Sequence, residues 1–320
     1  MESEKITKPS REDIMAARER IRPYARQTPV LTCATLNDLT GGSLFFKCEN
    51  FQKVGAFKFR GAVNAVFSLS DGEAMKGVAT HSSGNHAQAL ALAARTRGIP
   101  AYIVMPENAP KVKIEAVRGY GAEITFCTPT LAAREETLAS VVERTGAAFV
   151  HPYNDLRVIA GQATCAAEFL EEAGPFDILM TPIGGAGLTS GTALSASYFG
   201  GGARVIAAEP AGADDAYRSF KSGKLHPADH PKTIADGLLT SLGSLTFPIV
   251  QSLVQDIVLA KEESIVRAMR LVWERMKLVI EPSAAVPLAA VLEGNLDVKG
   301  KKVGIILSGG NVDLDRLPWM

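Results

Sequence analysis

Lys58 stands in Gly55-Ala56-Phe57-Lys58-Phe59-Arg60-Gly61, between two phenylalanines and among small residues. That setting is odd for a solvated face. A lysine drawn out of water holds its proton less tightly, and its amine can then form a Schiff base with a carbonyl. The same residues also read as a helix-start lysine with its stem on apolar surface and its amine in water. Gly184-Gly185-Ala186-Gly187 opens a helix after a strand-like run. Free N–H groups and the positive end of the helix dipole make such a place an anion site. The run is neither GxGxxG nor a Walker loop, and its plain alternative is a tight strand-to-helix turn. Ser82-Ser83-Gly84-Asn85 is a second helix start, whose hydroxyls, amide and N–H groups suit a carboxylate or simply cap the helix.

The three features together form the set of parts that pyridoxal phosphate needs to act on an amino acid: a lysine nucleophile, a phosphate cradle and a carboxylate nest. Phe57, beside the lysine, would cover one ring face.

These loops need elements to hold them. Ser10 and Asp13 make a capping-box pattern before Ile14, Ala17 and Ile21, which predicts a first helix. Strands are predicted at 44–48, 77–80, 102–105, 123–127, 147–150, 178–181, 204–208, 255–259 and 303–307. Helices are predicted at 59–69, 87–97, 111–118, 131–144 and, strongly amphipathic, 262–277. Alternation of strands and helices implies α/β architecture with mostly parallel sheets covered on both faces. Ligands then sit beyond the carboxyl ends of the strands. The runs ending at Thr80, Thr181 and Leu307 lead into His81–His86, Pro182–Leu188 and Ser308-Gly309-Gly310-Asn311, all small or polar.

The 320 residues suggest two domains and need no disulfide or metal to fold. Lys plus Arg and Asp plus Glu both number 34, so no basic stripe for nucleic acid or anionic membrane is indicated. Cys33, Cys48, Cys127 and Cys165 have no metal or redox spacing and read as reduced, structural residues. Met1–Arg11 is charged and predicts no secretory signal, and no apolar run approaches a membrane span. The expectation is a cytoplasmic protein.

Gly55–Gly61, Ser82–Gln88, Pro182–Gly191, Ala235-Asp236-Gly237 and Ser308–Leu314 together resemble the serine/threonine dehydratase family of fold-type II pyridoxal phosphate enzymes. The resemblance runs from Thr28-Pro29-Val30-Leu31 to Leu314, and is strongest to the serine racemase and 3-hydroxyaspartate dehydratase branch. It implies a tryptophan synthase β-like fold of two three-layer α/β domains. Residues 1–75 and 155–320 would form the large, cofactor-binding domain, and 76–154 a small mobile one. It also implies a homodimer.

Residue roles follow from the same resemblance. Lys58 holds the cofactor covalently and removes the Cα proton, and Phe57 and Gly237 flank the ring. Asn85 bonds the ring hydroxyl and Ser308 the pyridine nitrogen. Gly184, Gly185, Ala186 and Gly187 cradle the phosphate, with Leu188, Glu281 and Gly309 completing the cofactor surroundings. Ser82, Ser83, Gly84, Asn85 and His86 receive the substrate carboxylate, and Thr240 lies near the substrate. Ala186 replaces the third of four customary glycines, and the expectation is that it keeps ordinary right-handed helical angles with its N–H available.

Ser308 cannot hold the pyridine protonated as a carboxylate would, which favours α,β-elimination over transamination. Ser83 resembles the racemase proton donor on the face opposite Lys58. Arg134 resembles an arginine that reaches the outer end of the substrate and would favour a second carboxylate. It also reads as a solvated helix residue. His151 and Tyr153 are expected to line the same end, or to be simple loop packing. Glu209, the Ala213 carbonyl and Asp215 resemble the family's divalent-cation site, suited to Mg²⁺, Ca²⁺ or Mn²⁺; the acidic loop would alternatively cap the following helix.

The implied activity is loss of water from L-serine or 3-hydroxyaspartate to give a 2-oxo acid and ammonia, with serine racemisation alongside. Threonine deamination is the alternative enzyme reading, weakened by Ser83 and Arg134. The end of the chain just past Leu314 leaves no room for the regulatory domain of some threonine deaminases. A regulatory protein that binds the cofactor without turnover is the alternative of another class.

Overall fold

The computed structural model describes residues 6–109 and 111–320. Met1–Lys5, part of the stretch read as lacking a signal, lie outside the described residues.

Among the described residues, ten strands form two sheets. In chain order they are β1 (Val30–Thr32), β2 (Ser43–Cys48), β3 (Val78–His81), β4 (Ala101–Pro106), β5 (Glu123–Cys127), β6 (Ala148–Phe149), β7 (Ile178–Pro182), β8 (Arg204–Pro210), β9 (Asp256–Ala260) and β10 (Lys302–Leu307). The larger sheet has the order β1-β2-β10-β7-β8-β9 and is parallel except for the β1–β2 pair. The smaller has the order β5-β4-β3-β6 and is wholly parallel. β7 and β10 are buried almost throughout, as strands covered by helices on both faces must be. The α/β expectation with two mostly parallel sheets is met.

Ser10 caps the first helix, Arg11–Ile21, with the reciprocal Ser10–Asp13 bonds expected. The amphipathic helix expected over 262–277 is shorter. It runs over Glu262–Leu271, passes into a π-helical turn at Val272–Met276 and ends at Lys277, whose φ is 60°. Trp273 Nε1 donates to the Ile280 carbonyl at 3.0 Å, which holds this reversal in place. The chain then enters the helix Pro282–Leu292, which continues through buried Pro287.

A charged cluster lies beneath the helix that begins at Lys58 (Lys58–Phe67). Arg60, 1% exposed, donates to both Glu49 oxygens at 2.8 Å and to Glu168 at 3.0 and 3.2 Å. Lys47, fully buried, donates to Glu168 at 2.6 Å, to Glu172 at 3.1 Å and to the Thr28 carbonyl at 2.6 Å. Glu168 and Glu172 sit on the 18-residue helix Leu156–Ala173. A buried charge without a partner costs several kcal/mol, so these groups hold one another. The cluster thereby ties the Lys58 helix to β2 and to the Leu156–Ala173 helix.

Candidate active site

Lys58 is the first residue of its helix. The preceding segment is stitched to the loop after β10: Phe57 N donates to the Ser308 carbonyl at 3.0 Å, Gly310 N donates to the Gly55 carbonyl at 2.9 Å, and Ala56 bridges Gly309. Ser308 is 2% exposed. Lys58 Nζ donates to the Pro152 carbonyl at 3.0 Å and lies 5.1 Å from the Phe57 ring centroid. Burial pulls the amine down to about 8, against the attraction of Glu281. This environment makes the amine easier to deprotonate than that of a fully solvated lysine.

β7 delivers the second part. Gly184–Gly187 and Leu188 are buried, and the N–H groups of Gly184, Gly185, Ala186 and Gly187 have no acceptor among the described residues. A Cβ at Gly184 would lie 3.0 Å from the Leu238 backbone and 3.3 Å from Thr240 Oγ1, and one at Gly185 only 2.4 Å from the Tyr153 ring. The loop is therefore a close-walled cradle of free donors, which fits a phosphate.

Ala186 corrects the expectation of right-handed angles. It is left-handed, with φ 64° and ψ 18°. The chain must leave β7 and start the helix Gly187–Phe199 within four residues, under the packing of Tyr153, and Ala186 takes the turn. Its carbonyl accepts from Ser190 N at 2.8 Å, which starts the helix. Its N–H stays available, so the strain of about 1–2 kcal/mol does not close the cradle.

β3 delivers the nest. Gly84 N donates to Ser82 Oγ at 3.3 Å, and the helix Asn85–Arg97 begins just beyond. Ser82, Ser83 and Gly84 remain partly accessible. Two side chains here are committed elsewhere. Asn85 Nδ2 donates to both Glu281 oxygens at 3.0 and 3.1 Å, and Asn85 Oδ1 accepts from Asn311 at 2.9 Å. His86 is buried with Nε2 on the Val150 carbonyl at 3.1 Å, and burial first, then Lys58, holds it down to about 3. Only the His86 backbone can serve the nest. Asn311, quoted within a motif but given no role, proves to orient Asn85.

Glu281 lies under the site, 2.7 Å from where a Cβ on Gly309 would be. Burial and nearby Asp236 raise its carboxyl to about 7, against the bonds from Asn85. Gly237 N donates to Ser283 Oγ at 3.1 Å, and Thr240 is exposed beside Gly184.

At the outer end, Arg134 sits in the first turn of the helix Leu131–Thr145, with Nε on the Thr130 carbonyl at 3.3 Å. His151 Nδ1 accepts from Tyr153 N at 3.2 Å and Asn154 N at 2.9 Å. Two backbone donors on Nδ1 place the imidazole proton on Nε2, and burial, His81 and Lys58 push the ring down to about 4. Tyr153 stacks edge-on against His151 at 4.5 Å, but its ring face belongs to Gly185. It therefore walls the anion cradle, a role the sequence reading does not give it.

Glu209, at the end of β8, accepts from Ala216 N at 2.9 Å and Tyr217 N at 2.7 Å, and so caps the helix Asp215–Ser222. Burial still raises it to about 8. Both Asp215 oxygens are buried without a partner, and burial raises that carboxyl to about 6. Ala213 is buried beside them. No group of three or more His, Cys, Asp or Glu placed to hold a metal exists among the described residues. The two-carboxylate arrangement with an orphaned Asp215 nevertheless fits a cation better than an empty pocket.

Residues 21–309 match the family described as "Pyridoxal-phosphate dependent enzyme". The chain is 56% identical over 311 residues to the beta-hydroxyaspartate dehydratase of Paracoccus denitrificans, covering 97% of this chain and 99% of that one. The solved structure of serine racemase from Dictyostelium discoideum is 51% identical, with a TM-score of 0.90 over 95% of this chain and 98% of that chain. Maize serine racemase superposes with a TM-score of 0.93 at 47% identity, over 95% and 94% of the two chains.

Proposed function

This chain belongs to the family of pyridoxal-phosphate dependent enzymes, and on that premise we propose that it removes water from β-hydroxy amino acids, L-serine or 3-hydroxyaspartate, the released enamine then taking up water to give a 2-oxo acid and ammonia, with serine racemisation at the same site. The carrying observation is the Lys58 amine, lowered to about 8, between an anion cradle of free N–H groups and a nest of partly accessible serines.

Lys58 would hold the cofactor covalently, Gly184–Gly187 its phosphate, and Ser308 its ring nitrogen, with Phe57, Asn85, Leu188, Gly237, Glu281 and Gly309 around it. Asn85 is locked by Glu281 and Asn311, and the second lone pair of its Oδ1 would accept from the ring hydroxyl. When bound, the cofactor supplies an electron sink for the pair left on Cα. Ser82, Ser83 and the N–H groups of Gly84, Asn85 and His86 orient the substrate carboxylate. Lys58 Nζ, part neutral near pH 7, accepts the Cα proton, and Ser83 Oγ serves the opposite face. His151 offers Nε2–H as a neutral hydrogen-bond donor at the outer end. Arg134 brings positive charge there, which favours the dicarboxylic substrate over threonine.

Glu209, the Ala213 carbonyl and Asp215 would hold Mg²⁺ or a similar cation, whose charge removes the penalty on two buried carboxylates. Residues 76–154 would move as the small domain against the rest. The homodimeric state and cytoplasmic location belong to the same reading, supported by the family resemblance. No helix among the described residues is long and apolar enough to cross a membrane.

The test is a panel of L-serine, L-threonine and the 3-hydroxyaspartate isomers, scored for both oxo acid and D-isomer. Elimination from serine or hydroxyaspartate supports the reading. Turnover of threonine alone would replace it with deamination of that substrate.

A further inference from the structure

His81 ends β3 and immediately precedes the Ser82–Asn85 nest. Strand alternation sends its side chain to the face covered by the Leu131–Thr145 helix, the face on which Ala79 packs against Leu138 and Val141. Its ring stacks on Phe149 at 6.1 Å and meets His151 edge-on at 6.2 Å, and it forms no hydrogen bond among the described residues.

The charged and titratable groups around it are few. From the Leu131–Thr145 helix, Arg134 opposes its protonation and Glu135 favours it. From the segment after β6 comes His151, and from the Asn85 helix His86. Burial and Arg134 together hold His81 below the ordinary histidine range.

Neither neighbouring imidazole is as well placed to take up a proton. His151 would have to give up two backbone N–H bonds at Nδ1, and a proton added to His86 would sit on an Nδ1 buried with no partner to accept from it. Of the three imidazoles His81 alone has both ring nitrogens free of hydrogen bonds among the described residues, and the charged groups acting on it are Arg134 and Glu135.

We propose that His81 is a proton-linked specificity residue: it takes up a proton when a second carboxylate enters beside Arg134, and so couples binding of a four-carbon dicarboxylate to acid. An incoming carboxylate cancels the Arg134 repulsion and adds an opposite charge, so the bound state binds the extra proton. A monocarboxylate of the same length brings no such charge and causes no uptake. The proposal deepens the reading of Arg134 as the recognition point for the outer carboxylate and depends on it.

The experiment is calorimetric titration of the holoenzyme with succinate and with butyrate, from pH 7.5 to 5.5, in buffers of differing ionisation heat. Succinate has no amino group to join the cofactor, so binding is read without turnover. Succinate affinity is expected to rise as pH falls, by about threefold or more per unit and at most about tenfold for one linked proton. Proton uptake should accompany it, and butyrate binding should be flat. His81→Asn and His81→Gln should bind succinate with no pH dependence and no uptake, and Arg134→Ala should weaken it at every pH. Absent succinate binding, pH-independent binding in the wild type, or pH dependence surviving in both His81 variants overturns the proposal. Failure of the elimination reading shows separately, as no ammonia from 3-hydroxyaspartate while proton-linked succinate binding persists.

Discussion

The ring of Tyr153 occupies the space into which any side chain on Gly185 would project: a Cβ there would lie 2.4 Å from Tyr153 Cδ1 and Cγ. The segment that leaves the small sheet thus packs directly on the anion cradle of the large one.

Gly185→Ala should weaken cofactor binding roughly tenfold or more, since overpacking costs about 1–3 kcal/mol. In a Tyr153→Ala background the same change should cost little. Absorbance titration of the apoenzyme with cofactor measures both, and equal losses in the two backgrounds would sink the contact as the cause.

Ala186→Gly should stabilise the protein. The left-handed angles at 186 strain an alanine and suit a glycine, a gain of about 0.5–1 kcal/mol after the entropy of the freer unfolded chain is deducted. Thermal unfolding should show a midpoint about 1–3 °C higher. A lower midpoint would contradict the strain.

The amine of Lys58 should become available far below the pH of an ordinary lysine. Its lowered value means that the protonated, unreactive form dominates below about 8 and the neutral form above. Covalent capture of cofactor by the apoenzyme should speed up about tenfold per unit below that pH and level off above it. A rise continuing towards pH 10 would place the amine in water, and Lys58→Ala should abolish the absorbance band.

Arg134→Ala should separate the two leading substrates. Loss of a charged hydrogen bond costs about 1.5–3 kcal/mol, or roughly tenfold to a hundredfold in kcat/KM for 3-hydroxyaspartate. Serine should lose less than about threefold. Steady-state ammonia release on both substrates decides it, and equal losses would make Arg134 a packing residue.

Millimolar Mg²⁺ should raise the thermal midpoint by a few degrees, through binding to the folded state alone. Asp215→Asn should remove the increase while already easing the orphaned charge in its absence. A midpoint indifferent to Mg²⁺ in the wild type would leave the Glu209–Asp215 pocket as a helix cap only.

The candidate loops were legible wherever they follow a strand. Ser82–Asn85, Gly184–Gly187 and Ser308 could be found because small and polar residues interrupt apolar runs, and that local pattern survives folding. What depends on distant packing was not legible. Ala186 is left-handed in a loop pressed by Tyr153, which lies outside any local window. The Asn85 amide points at Glu281, 196 residues further on. His81 reads as the first residue of a polar loop, whereas the structure makes it the last of β3, with Phe149 and His151 around its ring. The long helix Leu156–Ala173 went unassigned, although Asp155 caps it by accepting from Arg157 N.

The charged cluster under Lys58 bears on how this chain is made. Lys47 and Arg60 are synthesised early, and their partner Glu168 follows 121 and 108 residues later. At about 5–20 residues per second, several seconds pass on the ribosome before those cations can be buried with their full complement. Until then Arg60 has Glu49 as its one carboxylate partner and Lys47 has only the Thr28 carbonyl. The small sheet, whose strands all lie between Val78 and Phe149, has its complete set first. Order of synthesis therefore favours closure of the inserted half before the half that carries the nucleophile.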